Sequence, residues 1–335
     1  MALHPDKVEF FKFIYSDNDW RVVNKRSLSN DYIQWERNLE LQAEEKSLED
    51  NLLDPNNHQL YFIVGAPRTG STFLSQLLIK AFNLGSQYNK VAKYYIVPLH
   101  GYNQVKKEEE KKAQFNSFLG NTDGDLNPHE FGYFWQYWLN FKLHHEPSVE
   151  TLNQVDVFSL RKKLLAITNL LENDLLIKNQ VYFNFIIVWV KQNFKNAKFI
   201  YINRNEFDVV ESILNARMEQ YGSYNYWWSL RPKHVSQWKN SPPIEQVCHQ
   251  VLYTNNKIKE QLGFLNDEDY IEVNYDSLVE DVENELNRMA SFFSREPINI
   301  DQFKTGIHRR IKSRHLPFSK SEILDNISKI KQQYD

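Results

Sequence analysis

A single cysteine, Cys248, is all that the chain holds. That excludes an intrachain disulfide framework and fits a reducing compartment. Charge of one sign is also missing: 40 Lys and Arg stand against 43 Asp and Glu, a formal net charge of −3. No global field draws DNA, RNA or an anionic membrane surface, so any anion site must be local. No stretch approaches the roughly 18 apolar residues of a membrane span. The opening residues, MALHPDKVEFFKFIYSDNDW, scatter charges where a secretory leader needs an unbroken apolar core. The expectation is a soluble, cytoplasmic protein that uses neither nucleic acid nor membrane as a partner. Glycine is scarce as well, 10 in 335 residues, so glycines gathered in one loop stand out.

What is plentiful is aromatic. The chain carries 22 Phe, 18 Tyr and 8 Trp within a hydrophobic share of 41%, which argues for a packed core and against disorder. Its length allows one large or two ordinary domains.

Residues 1 to about 55 read as helices, with Phe10, Phe11, Phe13, Ile14, Tyr32, Trp35, Leu39 and Leu41 spaced for an apolar stripe that ends at Asp54-Pro55-Asn56-Asn57. They form an N-terminal helical extension to an α/β domain over 56–335. Strand and helix patterns then alternate: a strand over Gln59 to Val64, a helix over Gly70 to Phe82, and a strand over Asp174 to Lys178. There follow a helix over Val181 to Phe194, a strand over Lys198 to Asn203, a helix over Phe207 to Met218, a strand over Tyr270 to Tyr275 and a helix over Glu280 to Phe293. Short apolar strands separated by helices imply an α/β fold with a mostly parallel central sheet flanked by helices. Ligands in such sheets bind at the carboxyl ends of the strands.

Two stretches fall outside that rhythm. Residues 86 to about 150 hold the charge run Lys106 to Lys112 and the aromatic cluster Phe131, Tyr133, Phe134, Trp135, Tyr137, Trp138. Residues 219–243 hold Tyr224, Tyr226, Trp227 and Trp228. Both read as insertions over the active end, forming a lid and an acceptor pocket.

The chemistry starts at Tyr61 to Leu74, YFIVGAPRTGSTFL. An apolar run stops at Gly65, the chain turns through Ala66-Pro67-Arg68-Thr69-Gly70, and Ser71-Thr72 opens a helical pattern. This has the glycine spacing of a nucleoside-triphosphate loop, but Ser71 stands where that loop has its Lys. Helix N–H groups after Gly70, the hydroxyls of Ser71 and Thr72 and the permanent charge of Arg68 suit an anion. A second element is KFIYINRNEFDVVESILNAR, Lys198 to Arg217. There Arg204 leaves a strand end and Ser212 follows two turns into a helix, so both can converge on one phosphate; alone, Arg204 would be read as a salt bridge to Asp208 or Glu211.

PRTGST after a strand, followed by a strand ending in R-N-x-x-D-x-x-x-S, resembles the sulfotransferases that use 3′-phosphoadenosine 5′-phosphosulfate (PAPS), in their bacterial and Golgi-type branch. LLIKN at Leu175 to Asn179 and VNYDSLVEDVENELNRMASFF from Val273 extend the likeness. It covers about residues 59 to 83 and 174 to 294, roughly half the chain. The resemblance implies a P-loop-like fold in which Arg68, Thr69, Gly70, Ser71 and Thr72 bind the 5′-phosphosulfate. Arg204 and Ser212 would bind the 3′-phosphate, and Tyr275 would complete the cofactor site. It further implies PAPS as cofactor, PAP as product and no metal, since a sulfuryl group carries one charge fewer than a γ-phosphoryl group and does without Mg²⁺ and the loop Lys.

Lys178, matching the family's strand-end Lys, is the candidate cation at the leaving oxygen, with Arg68 assisting. Relatives often carry a basic Glu some twenty residues after the loop, where this chain has Gln87, Tyr88 and Asn89. The candidate general base is therefore Glu130, with His129 as runner-up; both residue types also suit a helix cap. The basic cluster Lys304 to His315 lies where relatives close a loop over the 3′-phosphate but lacks their pattern. The acceptor is expected to be the hydroxyl, amine or guanidinium of a small molecule, a bacterial natural product being the model case. The alternatives are a P-loop small-molecule kinase, against which the missing Lys and the Arg204/Ser212 pair speak, and a catalytically silent nucleotide-binding module. Oligomeric state has no signal in the sequence.

Overall fold

The computed structural model describes residues 41–52, 58–105, 117–118, 121–122, 124–141, 144–304 and 316–334. The apolar stripe expected over residues 10–39, the break at 54–57, the charge run 106–112 and the basic cluster beyond Lys304 lie outside the described residues.

The apolar runs become strands. β1 (Leu60–Val64), β2 (Gly85–Ser86), β5 (Leu175–Lys178), β6 (Ala197–Asn203) and β7 (Tyr270–Asn274) form one parallel sheet in the order β2-β5-β1-β6-β7. β3 (Ser117–Phe118) and β4 (Asn121–Thr122) make a separate antiparallel pair. The helices used below are α1 (Ser71–Ala81), α2 (Gly132–Leu139), α3 (Val157–Leu171), α4 (Gln180–Phe183), α5 (Ile187–Asn193), α6 (Glu206–Tyr221), α7 (Pro243–Leu262), α8 (Val282–Phe293) and α9 (Lys320–Lys331).

Successive strand residues point to opposite faces. Leu60, Phe62, Val64, Leu175, Ile177, Phe199 and Tyr201 enter the core built with α2, α3, α4 and α5. Tyr61, Ile63, Leu176, Ile200, Ile202 and Val273 enter the core under α1 and α8. Both faces are covered, which is why these strands read as unbroken apolar runs rather than as alternation. A third cluster joins α6, α7 and α9 through Val210, Ile213, Val251, Ile323 and Ile327. β1 lies at the centre with β5 on one side and β6 on the other, so the loops leaving these three strands meet at the sheet's carboxyl edge. No helix among the described residues is long and apolar enough to cross a membrane.

The α/β architecture is the expected one, with differences that have local causes. The helix expected over 181–194 is two, because the chain breaks at Asn184–Ile186. There Gln261 of α7 binds both sides of the break, donating to Asn184 O (2.9 Å) and accepting from Ile187 N (2.8 Å). The helix expected from Glu280 starts at Val282, since Asp281 leaves helical geometry and caps Asn284 N at 3.1 Å. Within 86–150, Ser86 belongs to the sheet rather than to an insertion. The long helices α3 and α7 are absent from the sequence reading, although Leu160, Leu164, Ile167 and Leu170 of α3 carry a helical spacing.

Candidate functional site

The loop after β1 is shaped by close approach. Gly65 has φ 153°, and a Cβ there would sit 2.4 Å from Ile202 O, so β6 leaves no room for a side chain. The buried Asn184 amide holds its backbone on both sides, accepting from Gly65 N (3.0 Å) and donating to Gly65 O (2.8 Å). Arg68 adopts a left-handed conformation, φ 71°. Thr69 closes the turn by donating Oγ1 to Ala66 O at 2.9 Å. Gly70, φ 98°, precedes α1 as its cap, and no side chain caps that N-terminus. An uncapped N-terminus in a tight loop leaves its first-turn N–H groups for an anion. Gln180, at the start of α4, pins the loop from the β5 side: it accepts from Ser71 Oγ (2.7 Å) and donates to Ala66 O and Thr69 Oγ1 (3.3 Å each).

The second element meets the first. Arg68 Nε donates to Ser212 Oγ at 3.1 Å, and Ser212 is buried on α6. The Arg68 guanidinium lies 5.9 Å from the Trp228 ring. Tyr275, the first residue after β7, is packed against Gly70 so closely that a Cβ on that glycine would fall 2.3 Å from its ring. Arg204 covers the same ring at 4.5 Å. The Arg204–Asp208 ion pair raised by the sequence exists, 3.3 Å long, yet Arg204 Nε is buried without a hydrogen-bond partner among the described residues. One pair therefore leaves the guanidinium with donor capacity to spare.

Lys178 closes β5 and is only 2% exposed. Its ammonium lies 3.1 Å from Glu130 Oε1, while the Glu130 carboxylate is 46% exposed and so faces the solvent side of the pair. Asn179 Nδ2 donates to Glu130 O at 2.7 Å and fixes the backbone beneath it. His129 is engaged differently: its N–H donates to Gln87 O (2.6 Å) and its Nδ1 accepts from Phe131 N (2.9 Å). Neither residue caps α2: His129 takes the Phe131 N–H and Glu130 pairs with Lys178. Gln87, fully buried at the end of β2, accepts from Trp135 Nε1 at 3.2 Å.

The structure thus brings Arg68, Thr69, Gly70, Ser71, Arg204, Ser212 and Tyr275 into one crevice, with Thr72 in the first turn of α1. Lys178 and Glu130 form a separate charged pair at the neighbouring strand end. The aromatic insertion packs inward, with Trp227 and Trp228 both nearly buried. Gln180 and Asn184 shape the site and are absent from the residues chosen by sequence, whereas Trp228, named there in the aromatic insertion, lies beside Arg68. Among the described residues no three or more His, Cys, Asp or Glu side chains gather as a metal site would require.

The crystal structure of sulfotransferase STF9 from Mycobacterium avium is similar with a TM-score of 0.54 at 14% identity, covering 98% of this chain and 94% of that one. That of sulfotransferase STF1 from Mycobacterium tuberculosis H37Rv gives 0.50 at 15% identity, covering 88% and 81%. At such identities the likeness shows the fold. No curated protein sequence matches the chain. The model of the sulfotransferase family matches residues 61–297. That stretch is well over half of the chain and takes in the loop after β1, the end of β5, the Arg204–Ser212 segment and Tyr275, and on that ground the chain belongs to the sulfotransferase family.

Proposed function

We propose that the protein moves a sulfuryl group from PAPS to a hydroxyl, amine or guanidinium of a small molecule, with PAP as the other product. The observation that carries this reading is the hydrogen bond from Arg68 Nε to Ser212 Oγ. It ties the loop after β1 to the helix after β6, so donors suited to two separate phosphates of one nucleotide share a crevice.

The residues fit such a nucleotide. Among the described residues nothing offers the buried Arg204 Nε an acceptor, which is costly unless an anion supplies one. The α1 N-terminus is uncapped, and Gly70 puts no side chain between it and the Tyr275 ring. In this reading Arg68, Thr69, Gly70, Ser71 and Thr72 hold the 5′-phosphosulfate, and Arg204 and Ser212 hold the 3′-phosphate. The Tyr275 ring limits where the Arg204 guanidinium can point. PAPS, when bound, supplies a sulfuryl group on a phosphate leaving group. Glu130 accepts the acceptor's proton, and it is favoured over His129, whose Nδ1 already takes the Phe131 N–H. Lys178, held by Glu130, keeps a cation at the end of β5 where negative charge develops on the leaving side, and Arg68 adds a second. The reading calls for no metal ion.

Incubation with PAPS and a panel of small hydroxyl, amine and guanidinium compounds tests this. Transfer should occur without added metal, and Glu130→Gln should slow it by roughly 10²- to 10⁴-fold while PAP still binds. Sulfation of polysaccharides or peptides added alongside, with none of the small compounds sulfated, would contradict the acceptor class, and an undiminished Glu130→Gln rate would remove Glu130 as base.

A further inference from the structure

One turn and a half beyond Ser212, α6 carries a second arginine that the crevice does not use. Arg217 has no solvent exposure. Its Nη1 donates to Tyr224 O (3.0 Å) and to Gln246 Oε1 (2.8 Å). Among the described residues its Nε and Nη2 have no hydrogen-bond partner. The guanidinium lies 5.3 Å from the centre of the Trp227 ring. Among the described residues, the groups that act on its charge are the Tyr221 phenol and the Arg231 guanidinium, and no carboxylate does. Burial first, and Arg231 second, push Arg217 down to about 9 from the ordinary arginine range.

An arginine that served only to tie the 223–231 loop to α7 would need Nη1 alone. Buried charges are otherwise paired, and buried donors are otherwise satisfied. The two nitrogens left over are not a random pair. Nε and Nη2 form the side edge of the guanidinium, whose parallel N–H bonds match the two oxygens of a carboxylate or of a sulfate or phosphate group. Trp227, beside the Arg217 guanidinium, is followed in the chain by Trp228, whose ring lies 5.9 Å from the Arg68 guanidinium.

We propose that the Nε–Nη2 edge of Arg217 binds an oxyanionic group, and that this group belongs to the acceptor, which is therefore a small molecule bearing a carboxylate, sulfate or phosphate besides the atom that is sulfated. The second half of that statement rests on the sulfotransferase reading; the first does not. The Tyr224 carbonyl and the Trp227 ring flank the guanidinium.

Calorimetric titration of the PAP-saturated protein with inorganic sulfate and with benzoate at constant ionic strength tests the anion site, on wild type, Arg217→Gln and Arg217→Lys. Saturation with PAP removes the phosphate-binding crevice from the signal. One anion should bind per wild-type chain, and its affinity should fall about tenfold or more in both variants, the loss expected for a charge-assisted pair of hydrogen bonds. Arg217→Lys keeps the charge and loses the edge, so it decides the matter if Arg217→Gln fails to fold. Absence of binding to wild type, or equal binding to all three, would overturn the site. In transfer assays, KM for a carboxylate-bearing acceptor should rise in Arg217→Lys and KM for its neutral amide should not; equal changes would leave an anion site that takes free anions and would overturn the acceptor assignment. If PAP itself does not bind wild type, the cofactor reading fails, and the comparison of anion affinities among the three proteins still decides for or against Arg217.

Discussion

The imidazole of His145 is sealed from solvent, and its Nδ1 accepts the Arg231 N–H at 2.8 Å. Burial, with Arg231 and His144 adding repulsion, lowers its pKa from 6.5 to about 3. The unfolded chain therefore binds the proton more readily than the folded one between those values. The stability linked to His145 is fully present above about pH 6.5 and is lost as pH falls toward about 3. Urea unfolding should show a midpoint that drops through that window, with His145 contributing up to about 1.4 kcal/mol per pH unit. His145→Asn, which keeps an acceptor for Arg231 N, should flatten the slope; an unchanged slope would mean that other groups carry the acid sensitivity. At this scale sequence and structure part company over contacts that span the chain. Arg68, Arg204 and Ser212 could be chosen because strand ends and glycine spacing mark them locally. Gln180 and Asn184 could not, since their bonds to Ser71 and Gly65 join residues 109 and 119 apart and leave no periodic trace in the sequence.

Elements are held together by a few buried polar ties as well as by apolar faces. Glu44, on the helix at 41–50, pairs with Lys163 of α3 and accepts from His100 N at 2.9 Å. Both charged side chains are nearly buried, so removing one strands the other. Lys163→Met should cost about 3–5 kcal/mol in denaturant unfolding, and adding Glu44→Gln, which keeps an acceptor for His100 N, should restore most of it. Additive losses in the double variant would show that the pair is not coupled. The strands were legible at this scale because burial on both faces turns each into a short apolar run bounded by polar or glycine positions. α3 carried a legible spacing too. The break between α4 and α5 was not legible, because the Gln261 side chain that satisfies the exposed backbone comes from α7. The edge strand β2 is two residues long, too short for any period to register.

For the whole molecule, the order of strands decides where chemistry can occur. With β1 between β5 and β6, the loop carrying Arg68 lies between the strand ends carrying Lys178 and Arg204. A two-phosphate nucleotide and a proton acceptor can therefore be served from adjacent positions. That convergence was legible as spacing within each segment, whereas the Lys178–Glu130 pair joins the sheet to a region without strand or helix rhythm. The central claim is that the crevice takes a bisphosphate nucleotide without metal, as a sulfotransferase of this reading must and a kinase built on the same loop would not. Calorimetric titration with PAP and, separately, with ATP–Mg²⁺, on wild type and Arg204→Ala, tests it most directly. The account predicts metal-free PAP binding that weakens by about tenfold or more in Arg204→Ala, the loss of a charge-assisted contact to phosphate. Binding of ATP–Mg²⁺ in preference to PAP, or PAP binding indifferent to Arg204→Ala, would contradict it.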